Sequence, residues 1–221
     1  MCFSAPASFV AATGIGLAGA AAIGSASEKR EIPLASVPLI FAAQQAIEGG
    51  LWLALGSEAL SHWVPPLANA FMFSALVVWP VCAPLSAMLV EPHRGRRLAM
   101  AAMLILAILL ALRGVGGMWA QAYGACAVQN SMSYGNGLPY SPLQFAGYVL
   151  VTCGPFLLSS HTALRMFGAI VVAGLIVSMS LYSFAYVSVW CFFAAAASLT
   201  IYLQFARARH GGTKRQIFGR R

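Results

Sequence analysis

The sequence predicts an all-α fold: a polytopic membrane protein of seven transmembrane helices, with the N-terminus outside and the C-terminus in the cytoplasm. Hydrophobic residues make up 60% of the 221-residue chain and charged residues 8%, and the mean hydropathy is +0.80. Soluble domains contain about 45–50% apolar and about 25% charged residues. The apolar runs then give the number of helices, and the basic residues give their direction.

Seven apolar segments are long enough to cross a hydrocarbon core about 30 Å thick, which takes about 20 helical residues. The segments are Phe9–Ala26, Leu34–Gly56, Leu67–Val90, Leu98–Trp119, Ser141–Leu158, Met166–Phe184 and Val187–Ala206. The boundary between the last two is the least marked, since only Ala185 and Tyr186 separate them.

Twelve of the thirteen basic residues fall on one side of this arrangement. They lie in the first, third and fifth connections and in the tail, whereas the second, fourth and sixth connections contain no Lys or Arg. Cytoplasmic loops are enriched in Lys and Arg. The alternation therefore predicts one membrane domain, residues 1–206, and a basic cytoplasmic tail, residues 207–221.

The individual segments carry further signals. No basic residue precedes the first segment, which favours a spanning helix over a secretory signal peptide, and its many glycines and alanines favour close helix packing. Pro80 and Pro84 are expected to bend the third segment, because each removes a backbone donor. The uncharged connection Gly124–Tyr140 is rich in Gly, Asn, Ser and Tyr, which predicts an interfacial loop that caps the bundle.

The second segment carries Gln44, Gln45 and Glu48 in its middle. Both glutamines and Trp52 are three or four residues from Glu48, so the four residues share one helical face. A charged side chain within a bilayer costs about 3 kcal/mol or more and is usually paired. This face is therefore predicted to point into the bundle.

Arg113, in the fourth segment, is the predicted partner of Glu48. Counted from the cytoplasmic ends of their helices at Leu34 and Leu98, Glu48 is 14 residues and Arg113 is 15 residues along. At about 1.5 Å per residue, both lie about 21–23 Å from the cytoplasmic edge. The equal depth predicts a salt bridge within the membrane.

Two interpretations of this pair stay open. It either locks two helices together, with the glutamines bonding across the interface, or lines an outward-facing polar pocket that Tyr182 and Trp190 also reach. In the second case the protein binds a small ligand, lipid or pigment, or is an accessory subunit of a membrane complex. A purely structural subunit is the alternative in which the polar residues serve packing alone.

Cysteines supply an alternative of a different class. Cys2 and Cys126 both lie on the outer side in this topology, where a disulfide can form. Exchange between Cys2 and Cys126 or Cys191 would make the protein a membrane thiol/disulfide oxidoreductase, with Arg113 lowering a thiol pKa. The chain has no CxxC or HxxxH spacing, so no metal site is predicted.

Several function classes are disfavoured by what the chain lacks. The chain has no Asp and only five Glu, so it has few carboxylates for an acid–base active site of the kind found in soluble enzymes or for a calcium-binding site. The net charge of +8 is explained by membrane-flanking residues, so no nucleic-acid partner is predicted. Neither lysine lies within a segment, which argues against a retinal protein, and no paired mid-helix histidines are available for haem. The predicted partner is the lipid bilayer, with other membrane subunits as an option, and the sequence specifies no cofactor.

Three motifs resemble a bacterial family of small multi-pass membrane proteins of unknown function that begin with Met-Cys-Phe-Ser. The motifs are Met1-Cys2-Phe3-Ser4-Ala5, Gln45-x-x-Glu48 with Trp52, and Trp190-Cys191-Phe192. The resemblance covers most of the chain, and Cys2, Glu48 and Trp190 match positions in the motifs of that family. The resemblance implies no activity, and Arg113 is not part of it. The predicted location is a bacterial inner membrane, with several crossings.

Overall fold

The computed structural model describes residues 4–120, 122–135 and 138–210, and most of them are helical. The elements are α1 Ala5–Ile23, α2 Ile32–Ala35, α3 Val37–Leu55, α4 Val64–Phe73, α5 Trp79–Val90, α6 Arg94–Ala120, α7 Pro142–Leu158, α8 Thr162–Leu181, α9 Tyr186–Ala197 and α10 Leu199–His210, with the strands β1 Cys126–Val128 and β2 Ser131–Ser133. Within these ranges Ser36 joins α2 to α3, a π-helical turn joins α4 to α5, and Ser198 joins α9 to α10. Over the described residues the helices therefore form seven continuous rods, and the all-α prediction is confirmed.

Serine caps set the starts of two rods. Ser4 accepts a hydrogen bond from the backbone N–H of Ala7 at the start of α1. At the start of α7, Ser141 and Gln144 form a reciprocal capping box, and Pro142 occupies the first turn. These contacts satisfy backbone donors that a helix N-terminus leaves open.

The prolines of the third rod accompany a local distortion. Pro80 has no N–H to donate to the preceding turn, and the π-helical turn Ser74–Val78 ends two residues before it. Single π-helical turns within α-helices are wider than normal and often occur at functional sites. Pro84 lies within α5.

Small residues bring α1 and α3 into close antiparallel contact. A Cβ added at Gly19 would lie 2.6 Å from the backbone nitrogen of Leu39, and one added at Gly49 would lie 2.9 Å from the Phe9 ring. The first contact lies near the end of α1 and the start of α3, and the second lies at the opposite ends of both helices. The predicted small-residue interface is confirmed, and α3 is its partner.

The connection between α6 and α7 contains a β-hairpin. β1 pairs with β2 in antiparallel register, with Val128 opposite Ser131. Gln129 and Asn130, in the turn, both have positive φ (46° and 56°), which suits a two-residue turn of type I′. Ser133 Oγ donates to the carbonyl of Phe184 at 2.7 Å, so the hairpin packs on the α8–α9 connection as a cap.

At the opposite end, the connection before α6 meets the connection before α8. Arg96 Nη1 donates to Ser160 Oγ at 2.8 Å, and the Ser160 N–H donates to the Glu91 carboxylate at 2.8 Å. The third and fifth sequence connections thus share one end, while the fourth and sixth share the other.

Five helical stretches of the described chain are long and apolar enough to cross a membrane. They are Ala5–Ile23, Glu58–Val90, Arg94–Ala120, Thr162–Leu181 and Tyr186–Arg207. α3 is not among them, because its three polar residues lower its mean hydropathy, and α7 has only 17 residues. Length and composition therefore indicate a membrane protein with five candidate spans, where the sequence predicted seven. Most of the predicted tail, residues 211–221, lies outside the described residues.

Candidate functional site

The polar face of α3 is buried, as predicted. Gln44 is 1% exposed, and Gln45 and Glu48 are 0% exposed. Trp52 is half-buried and packs against the core. The face points into the bundle because the three-to-four-residue spacing puts every polar group of α3 on one side.

Glu48 lies where α3, α9 and the hairpin meet. Ser188 Oγ, from α9, donates to Glu48 Oε1 at 2.5 Å. Tyr134 Oη, one residue after β2, donates to the same oxygen at 3.3 Å. The Tyr134 ring stacks on Phe71, with centroids 4.3 Å apart, which fixes the position of its hydroxyl. We call Glu48, Tyr134 and Ser188 the Glu48 cluster.

The predicted salt bridge between Glu48 and Arg113 is wrong. Glu48 is fully buried, whereas Arg113 is exposed, and the two side chains form no ion pair in the described chain. Helix packing explains the difference, because α6 packs on α5 and α7 while α3 packs on α1 and α4. Equal depth was inferred from residue counts, which carry no information on which helices are neighbours.

Gln44, one helical turn before Glu48, forms hydrogen bonds with side chains of two other helices. Its Oε1 accepts from Trp79 Nε1 at 2.7 Å, and its Nε2 donates to Cys191 Sγ at 3.3 Å. The Trp79 ring stacks on Phe41, with centroids 3.8 Å apart. A single amide thereby links α3, α5 and α9.

An aromatic cavity of about 40 Å³ adjoins Gln44. Two polar atoms of its lining side chains already form hydrogen bonds. Tyr148 Oη donates to the Ala75 carbonyl at 2.8 Å, and Trp190 Nε1 donates to the Val171 carbonyl at 2.9 Å. The cavity wall is therefore mainly apolar. The aromatic residues that line it are Phe41, Trp79, Tyr148, Phe156, Phe167 and Trp190.

Several buried polar atoms near the Glu48 cluster lack a hydrogen-bond partner among the described residues. Gln45 has none for Nε2 or Oε1, and neither Trp52 Nε1 nor the hydroxyls of Ser8 and Ser131 have one. An unsatisfied buried polar group costs about 1–3 kcal/mol. Ordered water or a bound molecule would remove this cost.

Helix register places three of these side chains, Ser8, Gln45 and Trp52, within about one turn of Glu48 along α3. Phe9 of α1 lies against Gly49 of α3, so Ser8 is at a height between Glu48 and Trp52. On the same face of α3, Gln45 lies about one turn before Glu48 and Trp52 lies about one turn after it. Ser131 is buried in β2, three residues before Tyr134.

The remaining predicted residues lie elsewhere. Tyr182 is half-buried at the end of α8, with its ring 6.4 Å from that of Phe184. Trp190 lines the aromatic cavity. Cys191 is buried against Gln44, whereas Cys126 is an exposed free thiol on β1, and Cys2 lies outside the described residues. The structure therefore does not place Cys126 and Cys191 in a common site.

Sequence reasoning missed Tyr134, Ser188 and Trp79. Ser188 had a usable signal, since it lies three residues before Cys191 and so shares a face of the last rod. Tyr134 had none, because a loop residue has no periodicity that indicates where its side chain points.

A second buried carboxylate, Glu91, lies at the opposite end and is 2% exposed. It accepts from Ser159 Oγ, Ser160 Oγ, the Ser160 N–H and the His93 N–H. Burial acts to raise the pKa of Glu91, but these hydrogen bonds outweigh it and hold the pKa below its ordinary value of 4.5. Burial lowers the pKa of the adjacent His161 below its ordinary value of 6.5, because it disfavours the charged imidazolium. Glu91 thus stabilises the turn before α8 through its hydrogen bonds to Ser159 and Ser160.

Comparison with known proteins gives a family without an activity. The model of a family of unknown function (DUF6629) matches residues 1–216, which confirms the resemblance to an uncharacterised family over nearly the whole chain. No curated protein and no solved structure matches.

Proposed function

The chain belongs to the DUF6629 family of unknown function, and we propose that it is an integral membrane protein that binds a small ligand at the Glu48 cluster. The observation that supports this proposal is the Gln45 side chain, which is 0% exposed and has no partner for either polar atom in the described chain. A protein that bound nothing there would carry the full desolvation cost of this amide. Bound polar atoms would remove it.

The chemistry of the surroundings limits the ligand. Gln45 offers both donors and an acceptor, Trp52 offers an indole N–H, and Ser8 and Ser131 offer hydroxyls. The aromatic cavity lies one helical turn away, beside Gln44, and suits an apolar group. An amphiphilic small molecule with a polar head and a short apolar group would match the chemistry of both parts.

We further propose the topology of seven crossings, with the N-terminus outside and the C-terminus in the cytoplasm of a bacterial inner membrane. The basic residues support it, because they occupy alternate connections. α3 and α7 then cross with five longer neighbours around them, which shields the polar face of α3 from lipid. The Glu48 cluster lies near the outer surface under the hairpin.

Native mass spectrometry of the protein purified in mild detergent tests the ligand site. Wild-type protein is expected to carry a bound small molecule that survives detergent removal. Gln45→Leu should lose it, because the leucine offers no hydrogen bonds. Gln204→Leu, the same change at a half-buried position in α10, is the matched control and should keep it.

The proposal fails if wild type and Gln45→Leu carry the same bound masses, or if both carry none while ordered water fills the cluster in an experimental density map. If the protein is an accessory subunit of a membrane complex, it would use the same site. Purification from the native membrane distinguishes this version from a protein that acts alone. A partner chain that co-purifies in stoichiometric amount supports that version, and a monodisperse monomer contradicts it.

A further inference from the structure

A pocket of about 190 Å³ lies between the end of the hairpin and the α8–α9 connection. Two of its residues, Gly135 and Ser183, are exposed, whereas Met132 and Val187 are buried. The pocket is therefore open at the surface and extends into the protein. Since one water molecule needs only about 10–15 Å³ of such space, a small solute fits. The lining comes from Met132, Tyr134 and Gly135 on one side and from residues 183–187 on the other.

This pocket and the Glu48 cluster share a wall. Tyr134 lines the pocket and also donates to Glu48 Oε1 at 3.3 Å. Val187 lines the pocket as well, and the next residue, Ser188, donates to the same oxygen at 2.5 Å. A single layer of side chains therefore separates the pocket from the carboxylate.

One long hydrogen bond closes this wall. The 3.3 Å between Tyr134 Oη and Glu48 Oε1 is longer than the usual distance of about 2.7–2.8 Å between two hydrogen-bonded oxygens. Gly135 follows directly and has a positive φ of 50°, a conformation that glycine adopts at little cost. A solute that reaches the wall can thus replace the tyrosine hydroxyl with a hydrogen-bonding group of its own.

Close packing shields the cluster from the lipid side. A Cβ added at Gly49 would lie 2.9 Å from the Phe9 ring of α1. On the α4 side, a Cβ added at Gly50 would lie 3.4 Å from Leu67 Cδ1. At these contacts the helices leave no space for an acyl chain. The aromatic cavity beyond Gln44, at about 40 Å³, has room for about three water molecules and so takes only a short apolar group.

We propose that the pocket is the entrance to the Glu48 cluster from the aqueous phase at the hairpin end of the molecule. The ligand is then a small water-soluble molecule with a short apolar group, and not a membrane lipid. The entrance is inferred from the shared wall, whereas the class of ligand rests on the function proposed above.

Rates of thiol modification test the entrance without any ligand. The reporter is Ser188→Cys in a Cys2→Ser, Cys126→Ser protein in nanodiscs, treated with a charged methanethiosulfonate and followed by mass spectrometry. Ser198→Cys is the matched control, because Ser188 and Ser198 are both 0% exposed and Ser198 lies about 15 Å further along the last rod. The reporter should react at least tenfold faster than the control.

Filling the opening should slow the reaction. Ser183→Trp, added to the Ser188→Cys reporter, is expected to reduce its rate about tenfold, because the indole occupies the pocket. Ser61→Trp, the same change at an exposed serine of the α3–α4 connection, should leave the rate unchanged. A long-chain alkyl maleimide dissolved in the bilayer is the lipid arm. It should label Ser188→Cys no faster than Ser198→Cys.

Hydroxyl-radical footprinting gives a second measurement that needs no cysteine reporter. Tyr134 and Tyr148 are equally buried, at 3% exposure each, but only Tyr134 lines the pocket under the hairpin. Radicals generated in water should oxidise Tyr134 more than Tyr148 in wild-type protein. Ser183→Trp should remove the difference.

Equal methanethiosulfonate rates at positions 188 and 198 would overturn the entrance, as would an unchanged rate in Ser183→Trp or equal oxidation of the two tyrosines. Faster labelling of Ser188→Cys by the alkyl maleimide would show entry from the bilayer. A phospholipid mass that disappears in Gln45→Leu would overturn the ligand class alone. If no mass depends on Gln45, the proposed function and the ligand class both fail, while the labelling rates still decide the entrance.

Discussion

Gln44 and Gln45 are adjacent and equally buried, but their hydrogen bonding is opposite. Gln44 accepts from Trp79 and donates to Cys191, whereas neither polar atom of Gln45 has a partner among the described residues. The energetic effect of removing an amide therefore depends on what it leaves behind. Removing Gln44 leaves the Trp79 N–H unpaired, while removing Gln45 leaves no group unpaired.

The two amides should respond differently to the same substitution. Gln44→Leu is expected to destabilise the protein by about 1–3 kcal/mol, because the indole N–H of Trp79 loses its acceptor. Gln45→Leu should leave the stability of ligand-free protein unchanged or raise it. Thermal unfolding in detergent, followed by intrinsic fluorescence, measures both. A large loss of stability in Gln45→Leu would mean that its amide has a structural role.

Glu91 gives a stability that depends on pH. Its folded-state pKa is below the ordinary 4.5, so its contribution is present above that value and is lost as the pH falls through the folded-state pKa. Glu91→Gln should therefore cost about 1–3 kcal/mol at neutral pH, and the difference from wild type should shrink as the pH falls below the ordinary value of 4.5. Unfolding at pH 3.5 and pH 7.5 measures it, and a difference independent of pH would contradict the prediction.

At the scale of elements, the α1–α3 contact sets the height of each residue around Glu48. Gly19 and Gly49 allow it, since a Cβ at either position would meet the facing helix at less than 3.0 Å. The contact aligns Ser8 with the space between Glu48 and Trp52. A shift of α1 along α3 would move Ser8 out of the cluster.

Two glycines of α1 make a matched pair for testing this contact. Gly19→Ala is expected to destabilise the protein by about 1–3 kcal/mol, because its methyl group would lie 2.6 Å from the backbone of Leu39. Gly14→Ala should be neutral or stabilising by up to about 1 kcal/mol, because nothing lies within 4 Å of the added carbon. Parallel thermal unfolding of both variants tests the helix register, and equal effects would contradict it.

For the whole molecule, the two ends of the bundle differ in charge and in covering. One end joins the basic third and fifth connections through Arg96, Ser160 and Glu91. The other carries the uncharged hairpin over Glu48. This polarity is what the positive-inside rule uses to orient a membrane protein.

Thiol labelling in intact cells tests the proposed orientation. Cys126 is exposed on β1, so a membrane-impermeant maleimide added from outside should label it before lysis. In a Cys2→Ser protein, Cys126→Ser should remove that label. Arg97→Cys, placed in the protein that carries both Cys2→Ser and Cys126→Ser, should react only after the membrane is broken. Labelling of Arg97→Cys in intact cells would show that the orientation is the reverse of the proposed one.

The parts of the site that could be predicted are those that depend on one helix alone. The burial of Gln44, Gln45 and Glu48 follows from their spacing, because one turn of α3 repeats every three to four residues. The partners of Glu48 could not be predicted, since they depend on which helices are neighbours. In the described chain, five helical stretches are long and apolar enough to cross a membrane where the sequence predicted seven, because the polar residues of α3 lower its mean hydropathy and α7 has only 17 residues.

The sequence by itself determined that this is a helical protein suited to a membrane, which face of α3 is buried, and which connections carry the basic charge. These properties are local, because hydropathy and helical period act within a single segment. The tertiary structure alone decided that Ser188 and Tyr134 reach Glu48, that Gln44 joins Trp79 to Cys191, and that Arg113 faces outward. Such contacts join residues far apart in the chain, and they depend on how side-chain volumes fit between helices rather than on the depth of each residue.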